Sequence, residues 1–338
     1  MNIGTVLVTG SNGFLGQTII KNVLAADIPV CGIGIESDGL VPQVVYRRAD
    51  ITQPQQLQHV MQGISVVVHA AGLAHIFNDV HKNHELFRQI NEIGAANVAL
   101  AAADKGVRHF ILVSSVSVYG PFTHGLYAED APCQAVGPYA ISKYNAELRV
   151  AEIAEKTGMA LTILRLSTLY GEGDPGNVGR LIRTLDQGRF VWIGDGSNRK
   201  SLLYKGDAAR ACVTVASLPA FGTHIYNVSA PPCTMCEIVD GIADALGKML
   251  FPLRIPGSMA LALSRNLSRL PNPKLAGLHQ MIQKWMAEDV YDSQLFNRTF
   301  DFSVQTSIKE GIRKEVDWYR RNAEMARCRD AEMAEKQI

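Results

Sequence analysis

The sequence predicts an α/β protein built on a doubly wound parallel sheet, with a smaller carboxy-terminal α/β lobe. Three observations carry this. In the first half, short β-branched runs alternate with helix-length segments, the order that gives parallel strands covered by helices on both faces. A glycine-spaced turn joins the first such strand to its helix. Beyond about Leu169 the texture changes to a glycine-rich loop followed by shorter strands and helices.

The elements are expected in the following order. Thr5 to Thr9 (TVLVT) reads as a buried strand, and Leu15, Ile19, Val23 and Leu24 line one face of a helix over 14–26. Further strands are expected at Val30 to Ile35, Val44 to Arg48, Val66 to His69, Phe110 to Ser114 and Leu161 to Leu166. Helices are expected near 54–61, over 85–105 and from Tyr139 to Lys156. In the second half Thr223 to Val228 and Leu250 to Ile255 read as strands, the latter interrupted at Pro252. Thr234 caps a helix from Glu237 to Leu246. The apolar residues of 256–290 have no clean period, Ser307 to Arg321 reads as a helix, and the residues beyond Asn322 as a charged tail. The expected division is therefore 1–170 for the domain of the parallel sheet, 171–321 for the smaller lobe, with the chain able to cross back, and 322–338 for the tail.

The composition sets outer limits. The chain has 338 residues, with 47% hydrophobic and 19% charged, enough to bury a large core. Thirty-three Lys+Arg against 32 Asp+Glu leave +1, so no overall field favours nucleic acid or an anionic membrane as partner. The first twenty residues have no basic leader, and glycines break their apolar run, so no secretory signal is expected. The longest uncharged stretch, 110–128, contains Gly120-Pro121 and several serines, and does not read as a membrane span. Six scattered cysteines fit reduced thiols of a cytoplasmic protein.

The first chemistry-bearing motif is Thr9-Gly10-Ser11-Asn12-Gly13-Phe14-Leu15-Gly16, between strand and helix. Glycine at 10 and 13 permits a tight turn and close approach of a diphosphate to backbone N–H groups, and Gly16 lets the helix lie close. The candidate dinucleotide contacts here are Gly10, Asn12, Gly13, Phe14, Leu15 and Gly16, in a Rossmann-type sheet. An acid about 20 residues on would bind the adenosine ribose. Glu36 fits by count, although Gly34 stands where the second strand should end. No arginine between Gly32 and Asp38 awaits a 2′-phosphate, which favours NAD, with NADP left open. Asp50, followed by Ile51, is a candidate for the adenine; it serves equally well as a helix cap, in competition with Thr52.

The second motif is Tyr139-Ala-Ile-Ser-Lys143, a phenol and an ammonium at i and i+4 on one helix face. A phenol titrates near 10, and a close ammonium, joined by an oxidised nicotinamide, favours its phenolate and lowers that value. Alone the pattern is common on surfaces. Here it follows both the dinucleotide turn and a serine-rich strand end, Ser114-Ser115-Val116-Ser117-Val118-Tyr119-Gly120.

Together these residues resemble the extended short-chain dehydrogenase/reductase family, in its nucleotide-sugar epimerase/dehydratase branch. TGSNGFLG resembles the family's glycine signature, His69-Ala70-Ala71-Gly72 its fourth-strand end, and Asn91 its structural asparagine. SSVSVYG and PYAISK look like its catalytic strand and helix. GDPGNVGRLIR, RKSLLYKGDAARA and EGIRKEVDWYR extend the likeness over roughly residues 1–321. The resemblance implies Tyr139 as acid/base, Lys143 on the nicotinamide ribose, and Ser115 on the reacting oxygen. Ala70, Ala71, Gly72, Asn91 and Ser114 join the implied cofactor contacts; for Ser114 and Ser117, a side chain on the far face of the strand or a loop cap is equally open.

The resemblance also implies a transient oxidation at a sugar carbon, carbon 4 of a UDP-hexose, by an epimerase. A one-way UDP-4-keto-sugar reductase for surface polysaccharide is the alternative, and a dinucleotide-sensing protein without catalysis a more distant one. Val116 and Ser117 stand where the family's dehydratases carry Asp-Glu, which argues against dehydration. Leu166 replaces the usual proline after Arg165. Candidate substrate contacts are His75, Ser115, Asn177, Arg199 and Lys200, Lys200 matching a phosphate-binding arginine of the family. Asn177 serves equally well as a helix cap. Cys233 and Cys236 have no second pair at metal spacing, so no metal is expected. A homodimer through the two helices bordering the site is implied by resemblance alone.

Overall fold

The computed structural model describes residues 3–74, 80–121, 125–250, 253–269, 272, 275 and 277–335, with backbone alone at 80–83 and 326–335. The chain begins β1 (Thr5–Thr9), α1 (Gly16–Ala25), β2 (Val30–Gly34), β3 (Val45–Arg48), α2 (Pro54–Val60) and β4 (Ile64–His69). It continues with α3 (Val80–Phe87), a π-helical turn (Arg88–Ile93), α4 (Gly94–Asp104) and β5 (His109–Ser115). A 3₁₀ turn (Val116–Tyr119), β6 (Leu126–Tyr127), α5 (Pro138–Thr157), β7 (Ala160–Leu166) and β8 (Thr168–Tyr170) follow. Next come α6 (Asn177–Asp186), β9 (Trp192–Ile193), β10 (Arg199–Lys200), β11 (Leu202–Tyr204), α7 (Lys205–Ala216), β12 (Thr223–Val228), β13 (Cys233–Thr234) and α8 (Met235–Leu246). The last elements are β14 (Arg254–Ile255), α9 (Gly257–Leu267), α10 (Leu278–Met286), β15 (Val290–Tyr291), α11 (Gln294–Phe300) and α12 (Ile308–Glu335).

Two compact units share the chain. The first comprises 1–168, 205–230 and 291–305; the second 169–204, 231–290 and 306–338. In the first, seven strands form one sheet in the order β12-β7-β5-β4-β1-β2-β3, every neighbouring pair parallel. The strand order runs outward from β1 to β3, then restarts at β4 on the other side of β1. That reversal is the topological switch point, and ligands of such sheets bind beyond the carboxyl ends of the strands there. The core joins Leu7, Ile33, Val67, Phe110 and Leu161 of the sheet to Ala95, Val98 and Ala102 of α4 and Ala146, Val150 and Ala154 of α5. Alanine on the helix faces lets both helices lie close to the strands.

The second unit has its own core of Val178, Ile182, Trp192, Leu202, Tyr204, Ile238, Ile242, Ile312 and Val316. Its α8 opens with the expected cap: Thr234 and Glu237 form a reciprocal capping box, Glu237 N–H donating to Thr234 Oγ1 at 3.1 Å. Cys31, Cys133, Cys212, Cys233 and Cys236 are free thiols.

Three expectations change. The single helix over 85–105 is broken by the π turn, because Asn91 and Glu92 both reach partners on other elements and a widened turn re-aims them. Of the strand expected over 250–255, Arg254–Ile255 forms one, Leu250 and Leu253 do not, and residues 251 and 252 lie outside the described residues. The final helix continues past Asn322 to Glu335.

Candidate active site

The site assembles at the switch point. Gly10, with φ of +63°, brings the turn so close to the end of β4 that an added Cβ would lie 2.7 Å from Cα of Ala71. A Cβ at Gly16 would lie 2.1 Å from the carbonyl oxygen of Gly10, so α1 packs against the turn as the spacing predicts. Gly13 N–H donates to Gly10 O at 2.9 Å. The first turn of α1 has no side-chain cap and no acidic residue, which leaves the positive end of its dipole for an anion. Asn12 is spent on the protein: its Nδ2 donates to Asp38 O at 2.8 Å, and its Oδ1 accepts from Leu40 N–H at 3.0 Å. It fixes the loop after β2 against the glycine turn.

Glu36 lies two residues past the end of β2. Its carboxylate folds back over Gly34, where an added Cβ would come within 2.6 Å of Oε2. Tyr46 Oη donates to the same oxygen at 3.2 Å, and burial followed by the Glu36 charge pushes the phenol up to about 12. The glycine at the strand end thus makes room for the acid two residues later. Asp50 Oδ1 accepts from the N–H and hydroxyl of Thr52, each at 2.8 Å, in an Asx turn. Neither Asp50 nor Thr52 caps α2, whose N-cap is Gln53. Ile51 is buried, and its side chain lies 2.7 Å from a Cβ built at Gly94.

Beyond β4, Ala71 N–H donates to Thr9 Oγ1 at 3.0 Å, and Ala70 belongs to the stretch packed on Gly10. Asn91 holds the next residues from both sides, accepting from Leu73 N–H at 2.7 Å and donating to Leu73 O at 3.0 Å. Its Nδ2 also donates to Ser142 Oγ at 3.0 Å, tying the β4 loop to α5 between Tyr139 and Lys143. A Cβ at Gly72 would be 3.0 Å from Asn91 Oδ1 and 3.4 Å from Lys143 Nζ. The lysine therefore stands beside the same loop that packs against Gly10.

Tyr139 is half-buried on the first turn of α5 and hydrogen-bonds Ser115. Ser115 Oγ also accepts from Ser117 N–H at 3.2 Å, so Ser115 caps the 3₁₀ turn and Ser117 does not. Lys143 is buried, and its Nζ donates to Val113 O at 2.9 Å. Burial brings its pKa down to about 8, against a partial upward pull from Glu147. The expected lowering of the tyrosine does not occur in the chain by itself. Burial holds the Tyr139 phenol above its ordinary value, and only the Ser115 hydrogen bond pulls it back.

Ser114 faces the other way, its Oγ donating to Glu147 Oε1 at 2.5 Å. That carboxylate is held by Arg165, Nη2 to Oε2 at 2.7 Å, both side chains buried. Arg165 Nη1 donates onward to Tyr119 Oη at 3.0 Å, and Tyr119 donates to Asn227 Oδ1 at 2.8 Å. This buried network locks the carboxyl ends of β5, β7 and β12 behind Ser115. Its one sequence signal is Glu147, one turn beyond Lys143.

The expected substrate contacts fare differently. His75 lies outside the described residues. Asn177 is the first residue of α6 and exposed, and it caps nothing. Asp174 does that work, accepting from Gly176 N–H at 2.6 Å and Gly179 N–H at 2.9 Å. Arg199 pairs with Glu288, Nε to Oε1 at 3.1 Å. Lys200 donates to Asp289 Oδ2 at 2.7 Å and to Lys284 O at 2.9 Å. Both cations are thus answered by consecutive acids that the sequence, read locally, does not connect to them. No group of three or more possible metal ligands exists among the described residues.

The comparisons agree with this geometry. Residues 6–229 match the NAD dependent epimerase/dehydratase family, and the chain belongs to that family of enzymes. Among curated relatives, the N-acetyl-α-D-glucosaminyl-diphospho-ditrans,octacis-undecaprenol 4-epimerase of Escherichia coli is 28% identical, covering 93% of this chain and 94% of its own. The UDP-glucose 4-epimerase of Vibrio cholerae is also 28% identical, over 75% of this chain and 79% of its own. The crystal structure of UDP-glucose 4-epimerase from Thermotoga maritima with UDP-glucose superimposes with a TM-score of 0.75 at 19% identity, covering 94% and 99% of the two chains. That last likeness shows the fold. NAD is the family's cofactor, and the uncapped, acid-free start of α1 behind a glycine turn fits its diphosphate.

Proposed function

We propose that the chain is an NAD-dependent 4-epimerase of a diphosphate-linked hexose, UDP-hexose being the first candidate. The observation that carries this reading is the hydrogen-bonded pair Ser115 and Tyr139 beside Lys143, at the carboxyl end of β5, next to a loop packed on Gly10. Gly10 to Gly16, Glu36 and the Ala70–Gly72 loop would hold the dinucleotide, with Lys143 on its nicotinamide ribose. When bound, NAD accepts a hydride from the sugar carbon and returns it to the opposite face. Tyr139 Oη takes the proton of the carbon-4 hydroxyl and gives it back. Ser115 Oγ holds the same oxygen, and Asn91, through Ser142 and Leu73, keeps α5 in register with the β4 loop. Val116 and Ser117 offer no carboxyl pair for eliminating water. A homodimer through α4 and α5, with Leu100 and Leu148 on their exposed faces, accompanies the reading.

The E. coli relative's named substrate favours a second reading, in which the diphosphate carries a polyprenol in place of a nucleoside. The test is to denature the purified protein, identify the nucleotide released, and supply UDP-hexoses and polyprenyl-diphosphate sugars without added cofactor. Interconversion of carbon-4 epimers supports the proposal, and the accepted carrier decides between the readings. Stoichiometric consumption of added NAD(P)H with no epimer formed would make the chain a one-way reductase.

A further inference from the structure

We propose that α9 and α10 form a docking surface for an anionic lipid bilayer. Between Asp244 and Glu288 the sequence has no acidic residue, while it carries Lys248, Arg254, Arg265, Arg269, Lys274 and Lys284. The overall charge of +1 conceals this segment entirely. Lys248 pairs with Asp186, Arg254 lies over the Trp192 ring, and the Lys284 charge acts on the Asp289 carboxyl. Arg265, Arg269 and Lys284 are exposed.

On α9 the exposed face carries larger apolar residues than the fully buried one, which is not the pattern of a helix that serves only its own core. On α9 the inward positions are the small Ala260 and Ser264, 5% and 1% exposed. Ser264 Oγ hydrogen-bonds His279 Nδ1 of α10 at 3.0 Å, so the seam between the helices is small and polar. The outward positions are Met259 and Leu263, 55% and 58% exposed, one turn apart on one face, with Ala262 exposed between them. On α10 Met281 is 61% exposed, with Lys284 three residues on and Ile282 turned inward. Large apolar side chains in solvent, with cations and no acid on either helix, are the arrangement that inserts into the headgroup boundary of an anionic membrane. No helix among the described residues is long and apolar enough to cross a membrane, so the contact is peripheral. The inference is independent of the reaction assigned above.

Flotation of the full chain with vesicles tests it, using phosphatidylcholine alone and phosphatidylcholine mixed with phosphatidylglycerol. The chain should float with the mixed vesicles, less so as salt rises, and stay behind with the neutral ones. Met259→Glu with Leu263→Glu should reduce flotation at least about tenfold while NAD binding and circular dichroism stay unchanged. Arg265→Glu with Arg269→Glu, which leaves the apolar face intact, should do the same and serves if the first pair misfolds. Failure of the native chain to float with anionic vesicles overturns the proposal, as does undiminished flotation of both variants. A native oligomer in gel filtration that Met259→Glu with Leu263→Glu dissociates without lipid would assign the face to a second copy and overturn it too.

Discussion

Tyr139, Lys143 and Glu147 occupy successive turns on one face of α5, and each is governed by a different neighbour. Ser115 meets the phenol, Val113 O receives the ammonium proton, and Arg165 clamps the carboxylate. The first two positions are legible from Y-x-x-x-K and the serine-rich strand end. The third is not, because its meaning depends on an arginine on β7 that only the parallel register brings alongside. Glu147→Ala would leave the Arg165 guanidinium buried and unpaired, a loss of about 3–5 kcal/mol of stability. Urea denaturation of the variant should show a midpoint far below that of the native chain. In the chain itself desolvation holds the Tyr139 phenol above its ordinary value and outweighs the Ser115 hydrogen bond.

At the scale of elements, the inner strands of the parallel sheet and the helices packed on them follow the apolar periodicity closely, since they are buried by their neighbours and carry the pattern for that reason. Thr5–Thr9 and Thr223–Val228 coincide with the expected runs. What the pattern misses is set by single polar contacts. Asn91 and Glu92 open the π turn inside an otherwise regular helical stretch, and Asp174, three residues before Asn177, caps α6 from within a glycine-rich loop. Asp174→Ala should destabilise the second unit by about 1 kcal/mol, seen as a lower thermal midpoint. Asn177→Ala should leave that midpoint unchanged, because Asn177 caps nothing. Arg199 and Lys200 show the same limit: their acids, Glu288 and Asp289, lie far along the chain and reach them through the β10 edge.

At the scale of the whole molecule, the near-neutral charge balance hides local features with large effects. Two buried histidines of the sheet set how the fold responds to acid. Burial, with the Lys143 charge, holds His69 down to about 3, and burial, with His224, holds His109 down to about 4. Below the ordinary histidine value of about 6.5 the unfolded chain binds protons that the folded chain refuses. The contribution of these two histidines is therefore full above about pH 6.5 and falls as the pH drops toward 4, by up to ~1.4 kcal/mol per pH unit for each histidine. Urea midpoints recorded across that range should show the fall, and His109→Gln should flatten it. The acid-free segment around α9 and α10 is the second such feature, invisible to a sum over all residues yet plain once exposure is known.

The most direct test of the central claim compares Tyr139→Phe with the native chain in two measurements on the same preparation: NAD affinity by titration, and interconversion of the sugar epimers. Removing the phenolic hydroxyl should leave the affinity within a few-fold and lower turnover by at least about 100-fold. Turnover that survives the substitution would contradict the assignment of Tyr139 as the group that carries the proton.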